Sequence, residues 1–228
     1  MGVAARAEPL TRSVEDYLKA IYHLARSGQP ASTSDIAGQL GLSAPSVSGM
    51  IRRLSEHGWL EHVPYRGVAL TEEGRRVALR MIRRHRLIEA YLVACLGYSW
   101  DTVHEEAERL EHAVSDVLVE RMAQALGDPR FDPHGDPIPA SDGTMDELVY
   151  TPLTDVAVGD PVVIRRVGTS QPDRLRFLEQ TGLTPGIRVT VLARQPFHGP
   201  LTLKLGETEQ VIGHELAEQV LCTRAEGR

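Results

Sequence analysis

The sequence predicts a mainly α chain of 228 residues in three parts. Three short helical patterns followed by two extended runs predict a winged helix-turn-helix domain over residues 1–78. Longer helical patterns that end in a proline-rich stretch predict a helical domain over residues 79–145. Short β-rich runs punctuated by Gly and Pro predict a small β-barrel over residues 146–228.

The first helix is predicted from apolar residues that repeat at helical spacing from Val14 to Ala25. Ser13 followed by Asp16 has the character of a capping box, with Asp in place of the usual Glu or Gln. Asp16 therefore has two interpretations. It is either a capping partner at the start of this helix or a metal ligand contributed by the first domain.

Two further helices enclose a short turn. The second begins near Ser34 and stops at Gly41, and the third starts beyond Ser43 with Pro45 in its first turn, where proline is tolerated. Gly58 closes the third helix. The runs 59–63 and 68–70 flank a Pro-Tyr-Arg-Gly turn and predict a β-hairpin.

A helix-turn-helix followed by a hairpin predicts DNA binding, because the second helix of the turn enters the major groove. Small hydroxyl side chains permit close approach, and arginines on this helix and at the hairpin tip are placed for phosphates. The alternative is that the serines only cap the helix. Without Asn or Gln at the helix start, specificity is expected to depend partly on DNA shape. The predicted DNA-contacting residues are Ser34, Ser43, Pro45, Ser46, Ser48, Arg52, Arg53 and Arg66.

In the middle domain, Thr71 is predicted to cap a long helix that runs to about Leu96. Further helices are predicted over residues 100–112 and 115–126. Four prolines between residues 127 and 143 indicate a linker. The strands predicted for the barrel cover residues 162–167, 189–192, 201–205 and 209–212.

Composition limits the function classes. A net charge of −6 does not indicate a general nucleic-acid binder, and the acidic excess is concentrated in residues 79–145. Two cysteines far apart in sequence indicate reduced thiols in a cytoplasmic protein. Without an apolar leader or a long apolar run, no membrane partner is expected.

Histidines and carboxylates recur at helical spacing on two of the predicted helices. Four fall at i, i+4, i+7 and i+8, within an arc of roughly 100° on one helix face, and two more are spaced i, i+4 on the preceding helix. Imidazole and carboxylate donors arranged this way favour a first-row divalent metal. The alternative is a set of ion-pair partners for nearby arginines. The residues are His104, Glu108, Glu111, His112, His85 and Glu89.

With these motifs, the chain resembles the diphtheria toxin repressor family of metal-dependent transcriptional regulators, and especially its manganese-responsive branch. The resemblance covers nearly the whole chain. It lies in residues 14–22, 46–48, 70–74, 84–89, 103–112 and 136–139.

The resemblance implies a homodimer that binds palindromic double-stranded operator DNA and represses metal-homeostasis genes. It implies that residues 79–145 form the dimerisation domain and that the C-terminal barrel is Src-homology-like, similar to ferrous-transport accessory (FeoA-like) domains. Two divalent ions per chain are expected. One site would use Asp16, Glu108, Glu111 and His112, and the other would use His85, Glu89 and His104.

Mn(II) is the expected metal, with Fe(II) as the alternative. Iron-responsive members carry Met in place of Asp16 and Cys in place of Glu108, and hard oxygen donors favour Mn(II) over soft sulfur. Against Mn(II), manganese-specific members carry Glu in place of Lys19, and its ammonium group would repel a second cation in a closely spaced two-metal cluster. The site of His85, Glu89 and His104 would then be separate from the first. Gln171 and Asp173 lie in the loop from which longer members supply barrel ligands, and neither is singled out.

Two other functional classes compete with a metal-dependent regulator. A dinuclear carboxylate enzyme would need paired Glu-x-x-His motifs, which the chain lacks. A winged-helix regulator that answers a small organic ligand would leave the His/Glu face solvated. Neither a Gly-x-Ser-x-Gly elbow nor a Walker loop is present, so no enzymatic activity and no small-molecule substrate are expected.

Overall fold

The computed structural model describes residues 10–25, 29–146 and 148–225. The chain forms two compact units. The first is Met1–Arg83 with Pro139–Thr144, and the second is Arg84–Ile138 with Met145–Arg228. Within the described residues, no helix has the length and apolar character needed to cross a membrane. The predicted three-part division at residues 78 and 145 stays a prediction.

The first unit contains three helices and a hairpin, as the sequence predicted. These elements are α1 (Arg12–Leu24), α2 (Thr33–Leu40), α3 (Ala44–Glu56), β1 (Leu60–Val63), β2 (Gly67–Leu70) and the first half of α4 (Glu72–Leu96). The buried core includes Val14, Leu18, Ile21, Ile36, Leu54 and Val68.

The predicted cap of α1 is wrong. The helix begins at Arg12, and Thr11 Oγ1 accepts a hydrogen bond from the Val14 N–H at 3.4 Å. Ser13 lies inside the first turn. Thr and Ser have the same capping chemistry, and Thr11 alone has the extended backbone that an N-cap needs.

The capping predicted for the helix-turn-helix is confirmed at three positions. Gly41 ends α2 with a left-handed φ of 64°. Ser43 caps α3 by accepting from the Ser46 N–H at 3.5 Å, with proline in the first turn. Past the end of α3, Gly58 has a φ of 77°, and the Trp59 N–H donates to the Leu54 carbonyl at 3.0 Å.

The second unit begins with the remainder of α4 and contains α5 (Val103–Leu110) and α6 (Asp116–Ala125). One apolar cluster joins α4 to α5, and another joins α4 to α6. Arg84 ties the helix ends together, because its guanidinium donates to the Glu111 carbonyl at 2.9 Å and to Asp116 Oδ1 at 2.7 Å.

The β-rich part of the second unit is a six-stranded antiparallel sheet with the order β3-β8-β4-β5-β6-β7. Register shifts in β4 and β5 mark bulges, which bend a sheet. The elements are β3 (Thr151–Pro152), a 3₁₀ turn (Leu153–Asp155), β4 (Pro161–Val167), α7 (Pro172–Gln180), β5 (Arg188–Arg194), β6 (Leu201–Leu205), β7 (Thr208–Ile212), α8 (His214–Glu218) and β8 (Val220–Arg224).

The sequence pattern did not predict β3, α7, α8 and β8, and Asp173 was expected in a loop. Asp173 instead lies in the first turn of α7, where it is exposed and paired with Arg176. Gln171 is the N-cap position of the same helix. Because α7 buries only Leu175 and Leu178, its apolar pattern is too sparse to predict a helix.

The proline-rich segment before the sheet is packed tightly against β4. Gly135 has a φ of +85°, and a Cβ at this position would lie 1.9 Å from the Arg165 carbonyl oxygen. The Val167 N–H donates to the His134 carbonyl at 2.9 Å. This close approach fixes the segment against the sheet.

Gly135→Ala is therefore expected to destabilise the protein more than a left-handed backbone alone explains. Gly186 is the matched control, because its φ is +92° and a Cβ there meets no atom within 4 Å. Gly186→Ala should cost about 1 kcal/mol, the usual penalty for a left-handed alanine. Urea unfolding of both variants measures the difference. Equal losses would contradict the close approach to Arg165.

Candidate metal centre

The candidate ligands lie on two helices of the second unit and on the turn that follows. α4 carries His85 and Glu89, and α5 carries His104 and Glu108. The predicted helix over residues 100–112 is shorter than expected, because α5 ends at Leu110. Glu111 is the C-cap and His112 lies in the turn, so the pattern on α5 extends past the helix itself.

His85 is at the centre of the cluster. Its Nδ1 lies 2.5 Å from Glu111 Oε2, and its Nε2 lies 3.0 Å from Glu89 Oε1 and 3.1 Å from His104 Nδ1. His104 Nδ1 is also 3.0 Å from the same Glu89 oxygen. Two histidines from different helices thus converge on one carboxylate.

Burial and hydrogen bonding act in opposite directions on Glu89. Burial disfavours the charged carboxylate and would raise its pKa, but hydrogen bonds from His104 and His85 outweigh this and hold the pKa well below its ordinary value. Glu89 is therefore a buried carboxylate that stays ionised. It is the state a metal ligand requires.

Glu108 and His112 lie at the edges of the cluster. Glu108 Oε1 is 3.9 Å from His85 Nδ1 and 3.9 Å from His104 Nε2, and its side chain is 40% exposed. His112 Nε2 is 3.4 Å from Glu111 Oε1, and the Glu111 side chain is fully buried. His85, His104 and Glu108 each offer one donor atom, all within 4.8 Å of one another.

A second group was missed by sequence reasoning. Glu89, Asp132 and His134 also each offer one donor atom within 4.8 Å of one another, and all three are largely buried. Asp132 and His134 lie in the irregular proline-rich segment, where no helical spacing relates them to α4. The sequence signal that could have indicated this group is the Asp-Pro-His run in the acidic, proline-rich segment.

The carboxylate of Asp132 is surrounded by charged groups. Its Oδ1 accepts from the backbone N–H groups of His134 and Asp136, each at 2.9 Å, and its Oδ2 lies 3.8 Å from Arg86 Nε. Burial raises the pKa of Asp132 well above its ordinary value, and the nearby Asp136 and Glu89 carboxylates raise it further. Arg86 opposes these effects.

The donor set is chemically consistent with a divalent cation of the Mn(II) or Fe(II) type. All donors are carboxylate oxygens or imidazole nitrogens, and three buried carboxylates, on Glu89, Glu111 and Asp132, provide negative charge. Both cysteines lie elsewhere, Cys95 on the exposed end of α4 and Cys222 buried in the sheet. The residues present therefore fit a hard or borderline metal.

Asp16 lies on α1 in the first unit. It is half-buried, and Arg12 Nε is 3.9 Å from Asp16 Oδ2. Its predicted role as a ligand shared with Glu108, Glu111 and His112 stays a prediction.

The predicted DNA-contacting residues lie together in the first unit. Arg52 Nε pairs with Glu56 Oε1 at 3.0 Å, and Arg66 donates to the Gln29 side chain. Ser48 Oγ donates to the Ala44 carbonyl at 3.0 Å. Arg53 is half-buried, and the other seven are exposed: Ser34, Ser43, Pro45, Ser46, Ser48, Arg52 and Arg66.

The raised pKa of Asp132 predicts a pH-dependent stability. In the folded state the proton is held to a higher pH than the ordinary 3.8, so the folded protein loses stability as the pH rises above that value. In metal-free protein, Asp132→Asn should therefore gain stability relative to wild type as the pH rises from 4 to 8. Urea unfolding across this range measures the gap, and a gap that narrows with pH would contradict the raised pKa.

Comparison with known proteins identifies the family. Residues 9–68 match "Iron dependent repressor, N-terminal DNA binding domain", residues 71–140 match "Iron dependent repressor, metal binding and dimerisation domain", and residues 151–224 match the FeoA domain. The iron-dependent repressor IdeR of Mycobacterium tuberculosis is 33% identical over 223 residues, which cover 92% of this chain and 96% of that protein.

Solved structures agree with this relationship. A manganese-dependent transcriptional repressor in complex with manganese is 39% identical, with a TM-score of 0.83 over 93% of this chain and 100% of the other. ScaR with bound Cd²⁺ is 33% identical, with a TM-score of 0.79 over 93% and 99% of the two chains. Members of this family are repressors and not enzymes. The chain belongs to the diphtheria toxin repressor family of metal-dependent, DNA-binding transcriptional repressors.

Proposed function

We propose that this repressor responds to Mn(II) and binds palindromic operator DNA as a homodimer, which links metal supply to the expression of metal-homeostasis genes. Asp16, Glu108, Glu111 and His112 would hold one ion. His85, Glu89 and His104 would hold a second, with Asp132 and His134 adding to that site. Bound metal would supply positive charge that joins donors from different parts of the chain.

The observation that carries the metal assignment is the absence of sulfur from the described donors. Carboxylates on Glu89, Glu111 and Asp132 and imidazoles on His85 and His104 make a hard to borderline donor set. Such a set favours Mn(II) more than a set that contains thiolate or thioether. The manganese-bound relative at 39% identity supports the same choice.

Fe(II) is the second candidate. The mycobacterial relative at 33% identity is named an iron-dependent repressor, and imidazole and carboxylate donors also bind Fe(II). Because both ions accept the same donors, the two candidates are separated by the operator response that each ion produces. The distinction therefore requires a functional titration.

In the proposed mechanism, bound metal promotes repression by restricting the orientation of the DNA-binding domain. Asp16 lies on the first helix of that domain, whereas Glu111 and His112 follow α5. In a dimer on B-DNA, recognition helices must lie about 34 Å apart, or a multiple of that distance. Residues that share one ion would limit the orientations of the domain. Metal and operator would then bind with positive coupling.

A homodimer is supported by apolar side chains on the surface of the second unit. Leu96 at the end of α4 is 61% exposed, and Val117 and Leu118 on α6 are 72% and 44% exposed. Contiguous exposed apolar side chains, such as those of the adjacent Val117 and Leu118, are typical of subunit interfaces. Two identical subunits related by a twofold axis would recognise a palindromic operator.

Operator binding with and without metal tests the function. Full-length protein should bind the operator at least tenfold more tightly in Mn(II) than in chelator, a coupling of about 1.4 kcal/mol. Asp16→Ala and His112→Ala should remove most of this gain. Fluorescence anisotropy in Mn(II), Fe(II) and Zn(II), with Fe(II) handled anaerobically, measures the affinities and ranks the metals.

Glu105→Ala is the matched control, because Glu105 is an exposed carboxylate on α5 outside the candidate groups. It should leave the metal response unchanged. Equal operator affinity in chelator and in Mn(II), for protein shown to be folded, would contradict metal control. That result would favour a regulator that answers an organic ligand. A larger response to Fe(II) than to Mn(II) would replace the manganese assignment by iron.

Arg52 is predicted to contact a phosphate rather than a base. Arg52→Ala should weaken binding to specific and nonspecific DNA alike and reduce the slope of log K against log salt concentration by about 0.9. Arg109→Ala, an exposed arginine on α5, should leave the slope unchanged. Binding isotherms at several salt concentrations measure this. A loss confined to operator DNA would instead indicate base readout by Arg52.

A further inference from the structure

Trp100 connects the candidate metal centre to the core of the β-sheet. It precedes α5 in sequence, yet it belongs to the same buried apolar cluster as Leu153 of the 3₁₀ turn, Ile164 of β4 and Val220 of β8. Within the described residues its indole N–H is buried and has no hydrogen-bond partner. The ring is therefore placed by packing alone.

His134 is held against Trp100 in two ways. The two rings are stacked, with centroids 5.5 Å apart and planes inclined by 19°. His134 Nε2 also lies 2.8 Å from the Trp100 carbonyl oxygen. Because a carbonyl can only accept, Nε2 must carry the proton and donate it. In the neutral ring, Nδ1 is then the nitrogen with a lone pair.

The main chain of His134 is fixed as firmly as its ring. Its N–H donates to Asp132 Oδ1 at 2.9 Å, and its carbonyl accepts from the Val167 N–H at 2.9 Å. Next to Trp100, the largely buried Asp101 pairs with Arg176 of α7 at 3.1 Å. The main chain of His134 is thus anchored to the sheet, and the residue next to Trp100 is anchored to α7.

We propose that Trp100 is a positioning residue for the second metal site, at the side where Asp132 and His134 join Glu89. Its ring and carbonyl fix the tautomer and orientation of His134, so that Nδ1 is the nitrogen available to a divalent cation. Histidine ligands commonly donate their other N–H to a carbonyl, which fixes the tautomer. The inference rests on the proposed function in one respect, which is that these three residues bind metal.

Substitutions at Trp100 separate the stacking role from simple filling of the core. Trp100→Phe keeps a flat aromatic ring beside His134, and it loses an N–H without a partner and part of the ring area. Trp100→Leu fills the apolar core but cannot stack. Backbone amide spectra of residues in β4 and β8 show whether each variant keeps its sheet.

The test uses full-length protein with ¹⁵N-labelled histidine and Zn(II) as a diamagnetic probe. The His134 signals are assigned by their loss in His134→Gln. Wild type and Trp100→Phe should show a protonated Nε2 before metal and a shift of Nδ1 on Zn(II) binding. Trp100→Leu keeps the carbonyl but loses the stacked ring that holds the imidazole in line with it. It should therefore show a mixture of tautomers and about tenfold weaker Zn(II) binding at this site, the scale typical of groups that orient metal ligands.

The outcomes distinguish this inference from the proposed function. Zn(II) binding through Nε2, or identical tautomer and affinity in Trp100→Leu and Trp100→Phe, would overturn the role of Trp100 and leave the metal site standing. If His134→Gln binds Zn(II) with the same stoichiometry and affinity as wild type and no His134 signal shifts, the contribution of Asp132 and His134 to the second site is wrong. The role of Trp100 then fails with it.

Discussion

The pairing of His85 with carboxylates from two elements is the contact on which the second unit depends. One ring nitrogen faces Glu111 and the other faces Glu89, so the imidazole joins the end of α5 to the middle of α4. Charged carboxylates are costly to bury unless they are paired. The fold therefore has to place histidine nitrogens beside its buried carboxylates. That requirement concentrates metal-binding chemistry at a junction of structural elements.

Much of this arrangement could be predicted from regular spacing. Serine at position 43, the glycines at 41 and 58 and the apolar stripe of α3 each obey local rules, and the structure follows them. The contact between His85 and Glu89, spaced i, i+4, could be predicted because it depends only on helix geometry. Spacing was less informative at helix ends. There Thr11 displaced Ser13 as the cap, and α5 stopped before Glu111.

Residues outside regular elements could not be placed in the same way. Asp132 and His134 join Glu89 through a contact that spans more than forty positions in the chain, and no periodicity encodes it. The helix α7 was not predicted, because most of its residues face solvent and its apolar pattern is weak. Pairing of β3 with β8 depends on strands far apart in sequence. The irregular segment was read as a linker, although it supplies both donors and close packing.

The position of Trp100 has a consequence for how such a chain could lose or exchange its last domain. The indole of Trp100 completes the core of the sheet, although Trp100 belongs to the helical part of the unit. The helical part and the sheet are therefore inseparable at this residue. A shortened descendant that ended after α6 would present a wide aromatic surface to water. Selection would be expected to replace Trp100 by a polar side chain in any lineage that discarded the sheet, so the residue found there marks whether the domain was retained.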